Sequence, residues 1–223
     1  MSDVINYISP GHPLNRVRSR FAYKARKRIY DLFTSLMQPT LSSSILDLGV
    51  TPDRTLPESN FFEKLYPYKY KITAASIEDA SFLEKDYPGL RFVKISPDAL
   101  PFRDNEFDIL FCSAVIEHVG EREAQKVFIK EALRVARAFY FTTPNRQFPL
   151  EFHTFLPFVH WLPQRAHQTL LRYLGLNFWA KTVNLNLLTP HMFIDLFPPC
   201  KSLHLFNFRL FGLPSNIIIY GDK

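Results

Sequence analysis

The chain has 223 residues, of which 47% are hydrophobic, and its formal net charge is +6 at pH 7. This length suits one domain with a sizeable core, and we take residues 1–223 as a single domain. No run of about 18 uncharged apolar residues occurs, which argues against a membrane-spanning helix. We therefore expect a protein that is soluble or that lies on a membrane surface.

The N-terminal residues and the two cysteines indicate the compartment. Residues 1–20 contain an acid and two prolines and have no apolar core before their arginines, so they do not resemble a secretory signal. Cys112 and Cys200 each stand among apolar residues, a setting that suits reduced thiols better than a disulfide framework. We predict a cytoplasmic protein whose function does not use cysteine chemistry.

The positive charge is concentrated in a predicted N-terminal helix. From Asn15 to Met37 the apolar residues recur every three or four positions, as in an amphipathic helix. Its basic residues, which are uninterrupted by any acid, are Arg16, Arg18, Arg20, Lys24, Arg26, Lys27 and Arg28. Three interpretations stay open: a solvated face, which we rank first, contact with an anionic acceptor or membrane surface, and contact with RNA. RNA ranks last because no stacking aromatic residues alternate with the charges on this face.

Short apolar strands alternate with helical segments in the middle of the chain. After "ILDLG" at residues 45–49, further strands are predicted at 71–77, 90–95, 107–113 and 137–143. Helices are predicted from "NFFEKLYP", "EDASFLEKDYP" and "REAQKVFIKEALRVA". Buried strands separated by helices predict parallel βαβ units.

The C-terminal part of the chain follows a different pattern. "SLHLFNFRLFG" and "SNIIIYG" are separated only by Leu213 and Pro214, which predicts an antiparallel strand pair. Before them, "TPHMFIDLF" predicts a helix with Thr189 as its N-cap and Pro190 at its first position.

Three motifs indicate a known family. They are "LDLG" at the end of the first strand, "LPFRDNEFDILFCSAVIEHV" from Leu100 to Val119, and "EALRVARAFYFTTPN" from Glu131 to Asn145. Through these motifs the chain resembles the class I S-adenosylmethionine-dependent methyltransferases, in the broad branch that includes small-molecule and quinone-type methylases. The middle motif is the most specific, because D-x-G alone is common by chance.

The resemblance implies an α/β protein with a three-layer Rossmann-like methyltransferase fold. Its sheet would be mostly parallel and seven-stranded, with an antiparallel C-terminal strand. Ligands of such sheets bind at the carboxyl edge of the strands, and the family brings its methyl acceptor to the same edge. We divide the domain into a basic amphipathic helix (1–40), a cofactor-binding core (41–145), an acceptor-side insertion (146–188) and a C-terminal helix with a strand pair (189–223).

The cofactor that the resemblance implies is S-adenosyl-L-methionine, which has a sulfonium and an amino acid group but no phosphate. Gly49 permits close backbone approach because it lacks a Cβ, and the carboxylate of Asp47 attracts a cation. Taken alone, these two residues favour a simple strand end with a capped turn; together with the middle motif they favour the cofactor. The predicted cofactor-binding residues are Asp47, Gly49, Thr51, Ser76, Ile77, Glu78, Ser96, Asp98, Ala99 and Ser113.

Some positions depart from the family pattern. Thr51 replaces the last glycine of D-x-G-x-G, Ser76 stands where an acid usually binds the ribose hydroxyls, and Ser96 stands where an Asp usually meets the adenine amine. The Pro-Gly-Gly turn usual before the fifth strand is also absent. The acids that can substitute, if they come within about 3 Å of the ligand, are Glu78, Asp79 and Asp98.

The loop after Gly49 is predicted to be well formed in spite of Thr51. Pro52 restricts Thr51 to extended geometry, so Thr51 is predicted to cap a helix whose first turn holds Pro52 and Asp53. Pro57 would then end that helix, and a second helix would start within "ESNFFEKLYP".

Glu117 and His118 are the titratable pair nearest to the end of the fourth strand. Methyl transfer is an in-line displacement at an activated methyl group, so alignment supplies most of the catalysis, and a base matters only if the acceptor loses a proton. One interpretation is that the pair orients the acceptor, with His118 as the base. The other is that Glu117 caps the next helix or that His118 packs locally, and the sequence favours neither. The predicted catalytic residues are Glu117, His118 and His153.

Residues 144–175 are too long for a simple connection and are rich in aromatic residues and prolines. In class I methyltransferases the region after the fifth strand often builds the acceptor pocket. We predict that this pocket is lined by His153, His160, Trp161 and Asn145. For each of them, burial in a core under the insertion is a slightly stronger alternative.

The spacing of His153, His160 and His167 raises the question of a metal site. Seven helical residues advance about 10.5 Å, which is too far for shared ligation at about 2 Å. Pro157 and Pro163 also interrupt a helix here. We therefore predict no metal site.

The expected function is transfer of a methyl group from S-adenosylmethionine to a small-molecule or glycan/lipid-linked acceptor, with oxygen as the methylated atom. The expected partners are this acceptor and, through the basic helix, an anionic membrane surface; nucleic acid is not expected. The rival hypothesis is a catalytically inactive binding or scaffold protein that kept the fold and lost its cofactor contacts. Thr51, Ser76 and Ser96 favour this rival.

Overall fold

The computed structural model describes residues 13–96 and 99–223, with side chains from Ser19 onward. The predicted site residue Asp98 and the side chains of Arg16 and Arg18 lie outside the described residues. Within this part of the chain, none of the helices has both the length and the apolar character needed to cross a bilayer.

The seven strands form one sheet in the order β3-β2-β1-β4-β5-β7-β6. The first five strands pair in parallel, whereas β7 runs antiparallel to both β5 and β6. This is the predicted arrangement. The strands are β1 (Ile45–Leu48), β2 (Ile72–Ser76), β3 (Arg91–Lys94), β4 (Phe107–Ser113), β5 (Ala136–Pro144), β6 (His204–Leu210) and β7 (Leu213–Asp222).

The helices cover the two faces of the sheet and make a three-layer structure. They are α1 (Pro13–Met37), α2 (Phe61–Leu65), α3 (Phe82–Asp86), α4 (Arg122–Val135), α5 (Gln164–Tyr173) and α6 (Pro190–Ile194). As predicted, the hydroxyl of Thr189 accepts a hydrogen bond from the Met192 N–H, and Pro190 stands in the first turn of α6. Cys112 and Cys200 are both free thiols.

Two local predictions are wrong. No helix follows Thr51, because the carboxylate of Asp53 accepts hydrogen bonds from the N–H groups of Thr55 and Leu56 and holds a turn instead.

The turn between β6 and β7 lies earlier than predicted. Phe211 and Gly212 both have positive φ angles, of 52° and 80°, as a two-residue hairpin turn requires, so β7 already begins at Leu213.

Alternate residues of the central strands pack into two separate cores, because successive side chains of a strand point to opposite faces. On one face, Phe111 and Tyr140 pack with side chains of α1, α2 and α3. On the other face, Leu110 and Phe141 pack with side chains of α4 and α6.

Helix α1 is attached to the first face by an aromatic cluster. The ring of Phe33, which is fully buried, lies 5.2 Å from Phe111, 5.3 Å from Phe62 and 5.4 Å from Tyr140 between centroids. Edge-to-face contacts at such distances add to the stabilisation from burial. This packing fixes α1 over the sheet, with its preceding turns directed toward the carboxyl ends of β1 and β4.

An ion pair at the end of α4 provides a pH-dependent contribution to stability. Both carboxylate oxygens of Glu131 accept hydrogen bonds from Arg134, at 2.8 and 2.9 Å, and one of them also accepts the Leu100 N–H. The bonds from Arg134 lower the pKa of Glu131 below its ordinary value of 4.5. This stabilisation is therefore complete above pH 4.5 and is lost as the pH falls through the lowered pKa of the folded state.

We expect Glu131→Gln to reduce the free energy of unfolding by about 1 kcal/mol at pH 7, and the difference from the wild type to shrink as the pH is lowered below 4.5. Urea denaturation at pH 7 and pH 4 would measure this. Glu123→Gln is the control, since the Glu123 side chain is 80% exposed and its pair with Lys126 is solvated. A Glu131→Gln effect that is independent of pH, or equal to that of the control, would contradict the expectation.

Candidate functional site

The strand order places β1 and β4 side by side at the centre of the sheet, where the order of the parallel strands reverses. At such a switch point the loops leave the carboxyl edge in opposite directions and open a crevice for ligands. Asp47 lies near the end of β1 and Ser113 at the end of β4. Both predicted residues therefore flank the crevice.

Two buried carboxyl groups lie beneath this edge. Asp47 is 6% exposed, and Glu63 from α2 is fully buried. Burial raises the pKa of Asp47 well above its ordinary value, the neighbouring Glu63 raises it further, and burial likewise raises the pKa of Glu63. Among the described residues, no donor reaches either carboxylate oxygen of Glu63. A proton shared between the two carboxyl groups accounts for both observations.

Arg26 of α1 reaches the same edge. Its Nη1 donates a 2.6 Å hydrogen bond to the hydroxyl of Ser113, and its guanidinium lies over the ring of Phe61 at 5.2 Å from the centroid. Its positive charge also acts to lower the pKa of Asp47, against the two larger effects of burial and Glu63. A cation, an acid and a hydroxyl are thus collected between β1 and β4.

Gly49 is in close contact with the loop after β4. Its φ angle is +103°, and its N–H donates a 2.8 Å hydrogen bond to the Ala75 carbonyl. A Cβ at this position would lie 2.2 Å from Cγ2 of Val115. The glycine lets the loop after β4 pack on the end of β1, and its role toward the cofactor stays a prediction.

The loop after Gly49 is held by Asn60. The Thr51 N–H donates to the side-chain oxygen of Asn60, and the Asn60 amide donates back to the Thr51 carbonyl, at 3.0 and 2.9 Å. The hydroxyl of Thr51 accepts the Asp53 N–H. Thr51 therefore shapes the loop that borders the crevice.

At the end of β2 one acid is available to a ligand. The buried hydroxyl of Ser76 accepts a 3.3 Å hydrogen bond from the Glu78 N–H. The carboxylate of Asp79 accepts the Ser81 N–H at 2.9 Å and thus serves the local turn. Ile77 and Glu78 are exposed. Glu78 and Asp79 are both exposed, and of the two only Asp79 uses its carboxylate in a hydrogen bond among the described residues.

The end of β3 contributes less to the described site. Ser96 and Ala99 are both exposed, and residues 97 and 98 between them lie outside the described residues. Whether Asp98 replaces the acid missing at Ser96 stays a prediction.

The three predicted catalytic residues come together. Ligand atoms of Glu117, His118 and His153 all lie within 4.8 Å of one another. The rings of His118 and His153 are 5.0 Å apart at an angle of 87°. Glu117 and His118 belong to a short 3₁₀ turn, Ile116–His118, directly after β4, and His153 comes from the insertion after β5.

The second interpretation of Glu117 and His118 is wrong for the glutamate. Glu117 caps no helix; its Oε2 accepts a 2.8 Å hydrogen bond from the hydroxyl of Thr143 in β5. His118 does form a hydrogen bond with a neighbouring loop, because its Nδ1–H donates to the Asn184 carbonyl at 2.7 Å. Burial lowers the pKa of His118, so the ring is neutral at pH 7 and presents an unprotonated Nε2.

His153 is oriented by a buried acid. Its Nδ1 lies 2.6 Å from Oε1 of Glu151, whose side chain is 1% exposed. Although burial opposes ionisation, the hydrogen bonds from His153 and Thr154 lower the pKa of Glu151 to about 2. The ring of Trp179 lies 5.0 Å from that of His153 and 6.3 Å from that of His118, and forms a wall beside the cluster.

The other predicted pocket residues serve the insertion itself. Nε2 of His160 bonds the Phe148 carbonyl in a buried position, and the indole N–H of Trp161 donates to the Arg146 carbonyl while half of its side chain is exposed. Asn145 is buried and its Oδ1 accepts the Gln147 N–H. The structure thus brings His153 to the catalytic edge and uses the other three in local contacts.

Several site residues were not predicted. Arg26 was treated as part of the basic face, although it precedes the buried Ile29 by three positions and Phe33 by seven, which places it on the buried stripe of α1. The sequence signal for the position of Arg26 was a cationic residue on the apolar side of the helix. No sequence signal indicated that Glu63 would lie under Asp47 or that Trp179 would lie beside the histidines.

Comparisons with known proteins concern the family and the fold. Residues 47–138 match the family model described as a methyltransferase domain. No curated protein matches the chain by sequence. The fold is similar to that of a Thermotoga maritima S-adenosylmethionine-dependent methyltransferase, a possible histamine N-methyltransferase, with a TM-score of 0.53 and 18% identity over 93% of this chain and 92% of that one.

Two further solved structures are similar. An S-adenosylmethionine-dependent methyltransferase from Methanosarcina mazei has a TM-score of 0.50 and 16% identity, over 82% of this chain and 93% of that one. The N-terminal domain of EvdMO1, solved with S-adenosylhomocysteine bound, has a TM-score of 0.51 and 14% identity, over 89% of this chain and 80% of that one. At these identities the likeness concerns the fold.

The sheet order, the crevice at its switch point and the family match define a methyltransferase domain. Residues 47–138 match a methyltransferase domain, and the fold is similar to that of S-adenosylmethionine-dependent methyltransferases, in agreement with the sequence resemblance. The predicted Rossmann-like fold with antiparallel C-terminal strands is confirmed.

The side chains at the crevice fit the amino acid part of S-adenosylmethionine. An ammonium group requires an acidic acceptor, which Asp47 offers, and a carboxylate requires cationic or hydroxyl donors, which Arg26 and Ser113 offer. The exposed Glu78 at the end of β2 suits the ribose hydroxyls. The position of Val115 against Gly49 restricts the remaining space on the β1 side.

Proposed function

We propose that the chain transfers the methyl group of S-adenosylmethionine to a hydroxyl oxygen of a small-molecule or glycan-type acceptor. The observation that carries the proposal is the collection of Arg26, Asp47 and Ser113 at the switch point, on the same edge as His118. The first three residues match the two charged ends of the cofactor, and His118 is placed where a hydroxyl acceptor would need a base.

In this proposal the protein acts mainly by positioning. Bound S-adenosylmethionine supplies an activated methyl group, so the residues have to align it with the acceptor oxygen. Arg26 and Asp47 hold the amino acid end of the cofactor, and Glu78 holds the ribose. The Nδ1–H of His118 is engaged by the Asn184 carbonyl, which leaves Nε2 to take the proton of the acceptor hydroxyl.

The walls of the acceptor site come from the insertion. Trp179 is 8% exposed and belongs to a small apolar core with Leu171, Leu185 and Leu187. This core supports the loops that carry His153 and Trp179. An aromatic wall beside two imidazoles suits an acceptor with a flat or apolar portion, and excludes water from the reacting oxygen.

The basic helix has a divided role in this proposal. Arg20, Lys24 and Lys27 are exposed, which supports the solvated face, whereas Arg26 turns inward. Attraction of an anionic acceptor or membrane surface by the exposed residues stays a prediction. The free thiols of Cys112 and Cys200 support the proposed cytoplasmic location.

The proposal is tested by calorimetric titration with S-adenosylmethionine and S-adenosylhomocysteine. We expect micromolar dissociation constants, equivalent to about −8 kcal/mol. Glu78→Gln should weaken binding about 5- to 10-fold, because the carboxylate bonds to the ribose hydroxyls are charge-assisted. Glu123→Gln, an exposed acid on α4, should leave binding unchanged.

The outcomes separate the parts of the proposal. No binding by folded protein at millimolar ligand would overturn the proposed function and favour the scaffold hypothesis. Normal binding by Glu78→Gln would remove Glu78 from the site and leave the function in place.

A further inference from the structure

We propose that Glu117, His118 and His153 bind one divalent transition-metal ion, and that this ion holds the oxygen of the methyl acceptor. The part that concerns the acceptor rests on the proposed function, whereas metal binding itself does not. From the sequence we predicted no metal site, because we compared His153 only with His160 and His167. The structure instead joins His153 to the two residues after β4.

The three side chains have metal-binding atoms close to one another. Nδ1 of His118 is bonded to the Asn184 carbonyl and Nδ1 of His153 to the Glu151 carboxylate. Because a carbonyl and a carboxylate accept the hydrogen bonds at Nδ1, Nε2 is the ring nitrogen of each histidine that is left to bind a metal. Glu117 adds a carboxylate oxygen, and the ligand atoms lie within 4.8 Å of one another.

Glu117 supplies an independent indication of a missing ligand. It is fully buried, and its Oε2 accepts the Thr143 hydroxyl, but no hydrogen-bond donor among the described residues reaches its Oε1. A buried carboxylate oxygen without a partner is costly. A cation placed between this oxygen and the two imidazoles would satisfy it.

Each proposed ligand is also supported by a hydrogen bond behind it. Metal-binding histidines usually donate their second N–H to a carboxylate or a backbone carbonyl, which fixes the ring orientation. His118 and His153 show one of each kind, with Asn184 and Glu151. Thr143 does the same for Glu117. A chance group of polar residues would not be expected to have all three supports.

The donor set selects the kind of metal. Two imidazoles and one carboxylate suit Zn²⁺ and similar first-row ions, whereas Mg²⁺ and Ca²⁺ prefer sites made of oxygen. Bonds of about 2.0 to 2.2 Å place tetrahedral ligand atoms about 3.3 Å apart, so the side chains must approach one another by up to about 1.5 Å from the present limit of 4.8 Å. A shift of the loop that carries Glu151 and His153 together would provide this and keep their hydrogen bond.

Three protein ligands leave two positions for an acceptor when the ion becomes five-coordinate. An acceptor with two neighbouring oxygens, such as a vicinal diol or an aromatic diol, would fill them. With Nε2 of His118 bound to the metal, the ion would take over the role proposed for His118 as base, because a hydroxyl bound to it would lose its proton to solvent more easily. The oxygen would then form the new bond to carbon as the sulfur keeps the electron pair of the broken bond. We infer that the substrate belongs to this class of chelating hydroxyl compounds.

The test is titration of chelator-treated protein with ZnCl₂, followed by calorimetry and by NMR of the histidine ring protons. We expect one Zn²⁺ per chain with a micromolar or lower dissociation constant, and MgCl₂ binding at least 100-fold weaker. Two of the seven histidines should show shifted ring signals. His118→Ala and His153→Ala should each weaken zinc binding at least 100-fold, and Thr143→Val about 10-fold.

His191→Ala is the matched control, because the His191 side chain is 86% exposed and pairs only with Asp195 among the described acids. It should bind zinc as the wild type does. Absence of zinc binding by folded wild-type protein, or undiminished binding by both His118→Ala and His153→Ala, would overturn the proposal. The NMR experiment needs no variant, so a variant that does not fold leaves the test intact.

Failure here is distinguishable from failure of the proposed function. Titration with S-adenosylhomocysteine in the presence of EDTA reports on the cofactor crevice alone. Cofactor binding without zinc binding would overturn the metal site and leave the proposed methyltransferase function in place. Zinc binding without cofactor binding would overturn the proposed function and leave the metal site in place.

Discussion

Replacing Arg26 with alanine is expected to weaken binding of S-adenosylhomocysteine about 10- to 100-fold. Arg26 is the cation that bonds Ser113 at the crevice, and a charge-assisted hydrogen bond to the ligand carboxylate contributes about 1.5 to 3 kcal/mol. The variant also removes the positive charge that favours ionisation of Asp47. Asp47, which would attract the ligand ammonium, is therefore ionised to a smaller extent in this variant. Calorimetric titration at pH 7 measures the effect.

Arg28→Ala is the matched control for Arg26→Ala. Arg28 lies on the same helix, is exposed, and places its guanidinium over the ring of Phe208 instead of at the crevice. We expect it to change the dissociation constant less than twofold. If Arg26→Ala binds as tightly as Arg28→Ala, Arg26 has only a structural role. Arg26→Lys should be intermediate, because it keeps the charge and loses the fork of donors.

Replacing Phe33 with alanine is expected to reduce the free energy of unfolding by about 3 to 5 kcal/mol. The side chain is completely buried between α1 and the sheet and contacts three other aromatic rings. Its truncation leaves a cavity that such rigid neighbours fill poorly. Urea denaturation followed by circular dichroism would measure the loss.

Phe206→Ala is the comparison for Phe33→Ala, since Phe206 lies on the edge strand β6 and is 40% exposed. It should cost less than about 1 kcal/mol. Similar losses for the two variants would show that α1 is not anchored through Phe33. In that case the position of Arg26 would also need another explanation.

The arrangement of the sheet could be predicted from the sequence, because it depends on local patterns. Buried β-rich runs alternate with helical ones, and a short connection joins the last two strands. The turn residues were less predictable. Asp53 can cap a helix or close a turn, and only the bonds it makes to Thr55 and Leu56 decide between them.

The site was predictable where it follows from strand ends. Asp47 and Ser113 lie at the same edge because β1 and β4 pair in parallel, and a motif marks both strands. From the sequence, His118 and His153 could be predicted to lie at the same edge of the sheet. Their contact could not be predicted, because the path of the insertion depends on its own tertiary packing. The contact of Val115 with Gly49 was not predictable, since a glycine opens the same space to a side chain and to a ligand.

The match to the methyltransferase family model ends at residue 138, just inside β5. The loops that bring His153 and Trp179 to the edge all lie beyond that point. A change confined to the residues after 138 would therefore alter the insertion side of the proposed acceptor site and leave Arg26, Asp47 and Ser113 in place.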